Sequence, residues 1–194
     1  MRKIFIGSHR RSGTHLLMES LKLNFPGVWP FKTHEKEPTD IYVCRDLKEV
    51  LVSCYYWWIG SGESLVSQIV KDFLPYGIGD YVRGQAKVTG EAHPRGLKDW
   101  EFEMFNDPIG FWEDHLAYGQ AISIIVVSYK DLVNQPIKVI REIGRVLNLG
   151  EPKELTVNSL VGHHPTAKGR KAEKVLSQED KDYIKNRLNI ENFS

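Results

Sequence analysis

The stretch KIFIGSHRRSGTHLL, Lys3 to Leu17, decides the fold. It opens with a short apolar run, Ile4-Phe5-Ile6, the pattern of a buried strand. It turns through Gly7-Ser8-His9-Arg10-Arg11-Ser12-Gly13 and resumes at Thr14, with Leu16, Leu17 and Leu21 at helical spacing. A strand, a glycine-bounded basic turn and a helix make an anion cradle. The N-terminus of a helix carries free N–H groups and about half a positive charge, which favours phosphate. Gly7 and Gly13 let the backbone approach an anion closely. Arg10 and Arg11 add fixed charge and forked donors. The plainer alternative is a tight turn with two solvated arginines.

A nucleotide-triphosphate loop has the form G-x-x-x-x-G-K-[ST]. Here five residues separate Gly7 from Gly13, and Thr14 stands where the lysine belongs. The loop favours phosphate but is not built for ATP or GTP.

At 194 residues the chain is expected to form a single domain with a proper core. Its composition, 41% hydrophobic and 26% charged, is that of a globular protein. A formal net charge of +1 argues against nucleic-acid binding by bulk electrostatics, so any basic site is local. Two cysteines, Cys44 and Cys54, make neither a disulfide framework nor a metal cluster. With no apolar leader and no run of membrane-spanning length, the expectation is a soluble, cytoplasmic protein with no membrane partner.

Further along, Val28 to Phe31 reads as a short strand interrupted by Pro30, ending in Lys32-Thr33-His34. Ile41 to Cys44 reads as a buried strand closed by Arg45-Asp46, with Asp46 as N-cap of the next helix. That helix puts Leu47, Val50, Leu51, Cys54 and Trp58 on one face and leaves Ser53 off the stripe, free to meet something polar. Residues from about 60 to 106 are glycine- and aromatic-rich, with a helix expected over Ser64 to Leu74. This loop-rich region fits acceptor binding. Its aromatics suggest a partly apolar acceptor, while Lys87, Arg95 and Lys98 tolerate an acidic one. Pro108 starts a helix bearing Phe111, Trp112, His115, Leu116 and Tyr118. Ile122 to Val127 reads as a third strand, ending in Ser128-Tyr129-Lys130-Asp131. Pro136 opens a helix with Val139, Ile140, Ile143 and Leu147 inward, and Ser177 to Asp180 is a capping box opening the last helix. Apolar strands separated by helices argue an α/β domain, a central parallel sheet with helices on both faces. In such sheets ligands sit at the carboxyl ends of the strands. Ser8–Thr14, Lys32–His34, Arg45–Asp46 and Ser128–Asp131 all fall there.

With these residues in view the chain resembles the sulfotransferase family, whose donor is 3'-phosphoadenosine 5'-phosphosulfate. Arg11-Ser12-Gly13-Thr14 resembles the 5'-phosphosulfate loop, usually K-S-G-T. Phe31-Lys32-Thr33-His34 resembles the segment with the catalytic lysine and histidine. Ile41 to Asp46, with Val50 and Ser53, resembles the 3'-phosphate segment. Val127 to Leu132 resembles the strand end whose tyrosine, here Tyr129, lies near the adenine. Gly110 to His115 resembles the family's G-S-W-x-x-H helix. The chain departs from the pattern in four places. Arg11 replaces a lysine, Leu16 a tryptophan and Asp46-Leu47 an Asn-Pro, and the late R-K-G element survives as Arg170-Lys171-Ala172.

The resemblance implies a P-loop-like sulfotransferase fold and one sulfotransferase-like domain over residues 1–194. It implies transfer of a sulfuryl group to a hydroxyl or amine of a small molecule, releasing 3',5'-adenosine bisphosphate without a metal. Arg11 and Lys32 are the candidates for stabilising the leaving phosphate, and His34 for the base. Donor binding falls to Arg10, Arg11, Ser12, Gly13, Thr14, His15, Arg45, Ser53, Tyr129, Arg170 and Lys171. The plainer roles are a surface loop for His34 and a salt bridge to Asp46 or another carboxylate for Arg45. His9, His15, His93, His115, His163 and His164 show no metal-ligand spacing. Two alternatives remain beside this. One is a P-loop-type nucleotide or small-molecule kinase, for which Asp46 or Asp131 would hold magnesium. The other is a nucleotide-binding regulatory protein without catalysis. Oligomeric state is left open.

Overall fold

The computed structural model describes residues 1–60, 76–86, 99–153 and 171–188. It divides into two compact units: Met1–Arg45 with Asp114–His163, and Asp46–Glu113 with His164–Ser194.

The first unit is an α/β layer structure. Strands β1 (Arg2–Ser8), β2 (Val28–Thr33), β3 (Ile41–Cys44) and β4 (Ile125–Ser128) form a four-stranded sheet in the order β2-β1-β3-β4, every pair parallel. Because side chains alternate along a strand, β1 sends Ile4, Ile6 and Ser8 to one face. There Ile4, Ile6, Ile41, Val43 and Val127 pack with Leu17 and Leu21 of α1 (Thr14–Asn24). Ile140 and Ile143 of α7 (Pro136–Val146) complete that layer. Each such buried aliphatic side chain contributes about 1.5–3 kcal/mol. On the opposite face the buried Tyr42 meets Gly119 of α5 (Pro108–Ile122), where an added Cβ would lie 2.2 Å from the tyrosine ring. Phe5 and Phe31 stack on this same face at 5.7 Å and stay partly exposed beside Trp29.

The second unit is helical. α2 (Leu47–Gly60), α3 (Ile78–Val82), α4 (Asp99–Asn106), α8 (Ala172–Val175) and α9 (Gln178–Arg187) lie in it, with the first residues of α5. Its core gathers Leu47, Val50, Leu51, Cys54, Tyr81, Met104, Phe105, Leu176 and Ile184. Asp46 caps α2 as expected, its Oδ1 accepting from the Glu49 N–H at 3.2 Å. Ser177 and Asp180 form the expected capping box of α9. Arg83 joins α3 to α9 through Glu179 at 2.9 Å and Asp180 at 3.0 Å.

Several local expectations are corrected. β2 runs unbroken through Pro30, because β2 is the edge strand of the sheet, where a missing N–H is tolerated. The third apolar strand is shorter than its sequence: α5 continues to Ile122, and the strand begins only at Ile125. After it, Tyr129–Asn134 forms a short helix, α6, capped by the Ser128 hydroxyl. Ser53 is buried in α2. Gly7 is also closely packed, since an added Cβ would lie 2.9 Å from Thr39 Oγ1. The helix expected over Ser64–Leu74, the cations Lys87, Arg95 and Lys98, and His93, His163, His164 and Arg170 lie outside the described residues. Among the described residues no helix is long and apolar enough to cross a membrane.

Candidate active site

The carboxyl ends of the parallel strands converge in the first unit. Ser8 ends β1, Thr33 ends β2, Cys44 ends β3 and Ser128 ends β4. The loop from β1 to α1 lies there. It turns tightly, with the Ser12 N–H donating to the His9 carbonyl at 3.3 Å. Two of its residues have left-handed backbone, Arg11 at φ 66° and Gly13 at φ 98°. A non-glycine residue in that region costs on the order of 1 kcal/mol. Backbone strain of this kind gathers at ligand clamps. Gly13 has a second constraint, because an added Cβ would lie 2.2 Å from the Tyr129 ring.

Within this loop Gly13 is the N-cap of α1 and supplies no side-chain cap. The first-turn N–H groups of the helix therefore point at the site. Ser12 Oγ is buried with no hydrogen-bond partner among the described residues. A buried hydroxyl without a partner costs about 1–3 kcal/mol. Thr14 and Ser8 bond through their hydroxyls.

Cations crowd the same place. Arg45 donates to the Arg11 carbonyl at 2.9 Å, with its guanidinium 4.6 Å from the centre of the Tyr129 ring. It holds the loop rather than Asp46. Lys32 Nζ lies 2.8 Å from His15 Nε2 on α1, and its pKa is held below the ordinary lysine value by burial and by Arg10.

Three histidines surround the loop. His34 Nδ1–H donates to the Ser8 carbonyl at 2.9 Å, which leaves Nε2 as the unprotonated nitrogen. Burial first, then Arg10, Lys32 and His115, lower its pKa to about 4, against the Ser8 bond that raises it. His9, fully enclosed, donates from Nδ1 to the Arg10 carbonyl at 2.9 Å, and burial lowers its pKa to about 3. His115 is buried beside Tyr42, its pKa lowered chiefly by burial. All three rings are neutral near pH 7.

A family model for the sulfotransferase domain matches residues 24–187. The chain belongs to this family. No individual curated protein matches it. A sulfotransferase moves a sulfuryl group, and the match covers β2, β3, β4 and the helices between them, beginning near the end of α1. The basic β1–α1 loop lies upstream of the matched residues.

For this sulfotransferase, the structure brings Arg10, Arg11, Ser12, Gly13, Thr14, His15, Lys32, His34, Arg45 and Tyr129 together in the first unit. Ser53 and Lys171 belong to the second unit, Lys171 exposed at the N-cap of α8. The site residues suit a phosphate- or sulfate-like anion. The unpartnered Ser12 hydroxyl, the uncapped helix start and mutually repelling cations all favour a bound dianion. Two residues went without a role in the sequence, Tyr42 and His115. Both stand in stretches that resemble family segments, Ile41 to Asp46 and Gly110 to His115. That was the available signal.

Proposed function

We propose that the chain transfers the sulfuryl group of 3'-phosphoadenosine 5'-phosphosulfate to a hydroxyl or amine of a small-molecule acceptor by in-line displacement, with His34 as general base. The observation that carries this reading is the His34 ring. Its Nδ1–H is committed to the Ser8 carbonyl, and its pKa lies near 4, so Nε2 is unprotonated at neutral pH. When bound, the donor supplies the sulfuryl group and departs as 3',5'-adenosine bisphosphate.

The chain's residues divide the work. His34 Nε2 accepts the proton of the acceptor as the acceptor's oxygen or nitrogen forms its bond to sulfur. Lys32 and Arg11 offset the charge that gathers on the departing phosphate oxygen as the sulfur–oxygen bond breaks. Ser12 Oγ and the first N–H groups of α1 donate to the phosphosulfate, and Arg10 adds charge. Arg45 and Tyr129 hold the loop in register. Residues of about 60–106 supply acceptor contacts within one sulfotransferase-like domain spanning residues 1–194. Two free cysteines accord with a cytoplasmic site of action.

The test is a thermal-shift comparison followed by an acceptor screen. 3',5'-adenosine bisphosphate without metal is expected to raise the melting temperature more than magnesium-ATP, because a ligand of the native state stabilises it. The opposite ranking favours a kinase. Labelled donor incubated with pools of phenols, alcohols and amines then identifies the acceptor by mass spectrometry.

A further inference from the structure

Tyr42 leaves β3 on the face opposite α1, and its ring lies in the notch left by Gly119 on α5. One turn earlier on that helix stands His115, whose Nδ1 is 2.8 Å from the Tyr42 hydroxyl. His115 Nε2 is 3.0 Å from the main-chain oxygen of His34. A carbonyl only accepts, so Nε2 carries the proton. Nδ1 of the neutral ring is then an acceptor, and the Tyr42 hydroxyl is its donor. The same hydroxyl bonds to the backbone of His9. His34 closes the circuit by donating from Nδ1 to the Ser8 carbonyl. The ring of bonds therefore runs from the anion loop through Tyr42, His115 and His34 and back to Ser8. His34 follows the last residue of β2, and its carbonyl is held by this side chain.

We propose that Tyr42 and His115 are positioning residues that hold the His34 backbone so that the ring presents Nε2, and not Nδ1, to the site. The role rests on the reading of His34 as the base. Neither side chain touches the reacting atoms. Both are buried, and each bond in the circuit has only one possible direction, so a change at Tyr42 is felt at His34 through the His115 tautomer. Among the described residues, the groups facing His34 include Arg10 and His9 of the loop, Lys32 of β2, His115 of α5 and the Ser8 backbone.

The experiment is nitrogen-detected NMR of the histidine rings in the intact chain, with main-chain amide spectra to certify folding. In the wild type, His34 is expected in one tautomer, protonated on Nδ1, with no titration from about pH 8 down to about pH 5. In Tyr42→Phe and His115→Ala the ring is expected to populate both tautomers and to titrate closer to the ordinary 6.5. His115→Gln keeps a donor for the His34 carbonyl and is expected to restore much of the single tautomer. A His34 ring unmoved in tautomer and titration in folded Tyr42→Phe overturns the proposal, even where His115→Ala does not fold. Failure of the base reading looks different. Wild-type sulfuryl transfer by His34→Ala removes the base role and leaves the NMR outcome as it is.

Discussion

Arg45, at the end of β3, donates a hydrogen bond to the carbonyl of Arg11, the loop residue with left-handed backbone. A residue in an unfavourable conformation persists only where its surroundings over-determine it. The guanidinium supplies that restraint from one side, and the Tyr129 ring, set against both Arg45 and Gly13, supplies it from the other.

It follows that Arg45→Ala loosens the whole anion loop. The affinity for 3',5'-adenosine bisphosphate and that for adenosine 5'-phosphate are both expected to fall. Each loss should be about 1.5–3 kcal/mol, the worth of a charge-assisted hydrogen bond. Calorimetric titration of both nucleotides decides it. A loss confined to the bisphosphate would instead place the guanidinium on the 3'-phosphate.

Ser12→Ala separates binding from stability. The hydroxyl is buried and unpartnered, so its removal is expected to leave the melting temperature of the free chain unchanged or higher. Affinity for 3',5'-adenosine bisphosphate is expected to drop about tenfold or more. A variant that melts lower and binds as well as the wild type would show that the hydroxyl serves the fold.

Gly13→Ala tests the backbone itself. At φ 98° an alanine is strained, and its Cβ meets the Tyr129 ring at 2.2 Å. The combined cost is expected to exceed about 2 kcal/mol, a fall of roughly 4–8 °C in melting temperature for a chain of this size. A melt within about 1 °C of the wild type contradicts the described loop.

Acid is expected to destabilise the chain through its buried histidines. Their folded pKa values, about 3 for His9 and about 4 for His34, lie below the ordinary 6.5. Between these values the unfolded chain binds more protons, so stability falls as pH drops. Each group adds a slope of up to about 1.4 kcal/mol per pH unit below about pH 6.5, and none above it. Urea titrations across that range should show midpoints level above neutrality and falling below. A flat profile down to about pH 5 would mean that the rings are protonated without cost in the folded state.

Much of this site was legible in the sequence because it is local. The Ser8–Thr14 turn, Lys32–His34 and Arg45 each lie at or just past the carboxyl end of a strand, and parallel topology alone brings such ends together. The edge position of β2, which excuses Pro30, belongs to strand order and is written in no single segment. Ile122 to Val127 is apolar apart from Ser123, so composition could not say where α5 stops and β4 starts. The pairing of Tyr42 with His115 spans residues far apart in the chain, and only tertiary packing against Gly119 creates it.

Lys32 leans on an imidazole and not on a carboxylate. An acidic partner would cancel its charge, whereas an imidazole partner aims the amine without adding a negative charge. A chain of formal charge +1 thus carries a small anion exchanger on one end of its sheet. Phosphate and sulfate from the surrounding solution are expected to compete for it with the proposed donor. On the proposed function, affinity for the nucleotide donor is expected to be a property of the medium as well as of the fold, set by which small dianions are present and how many.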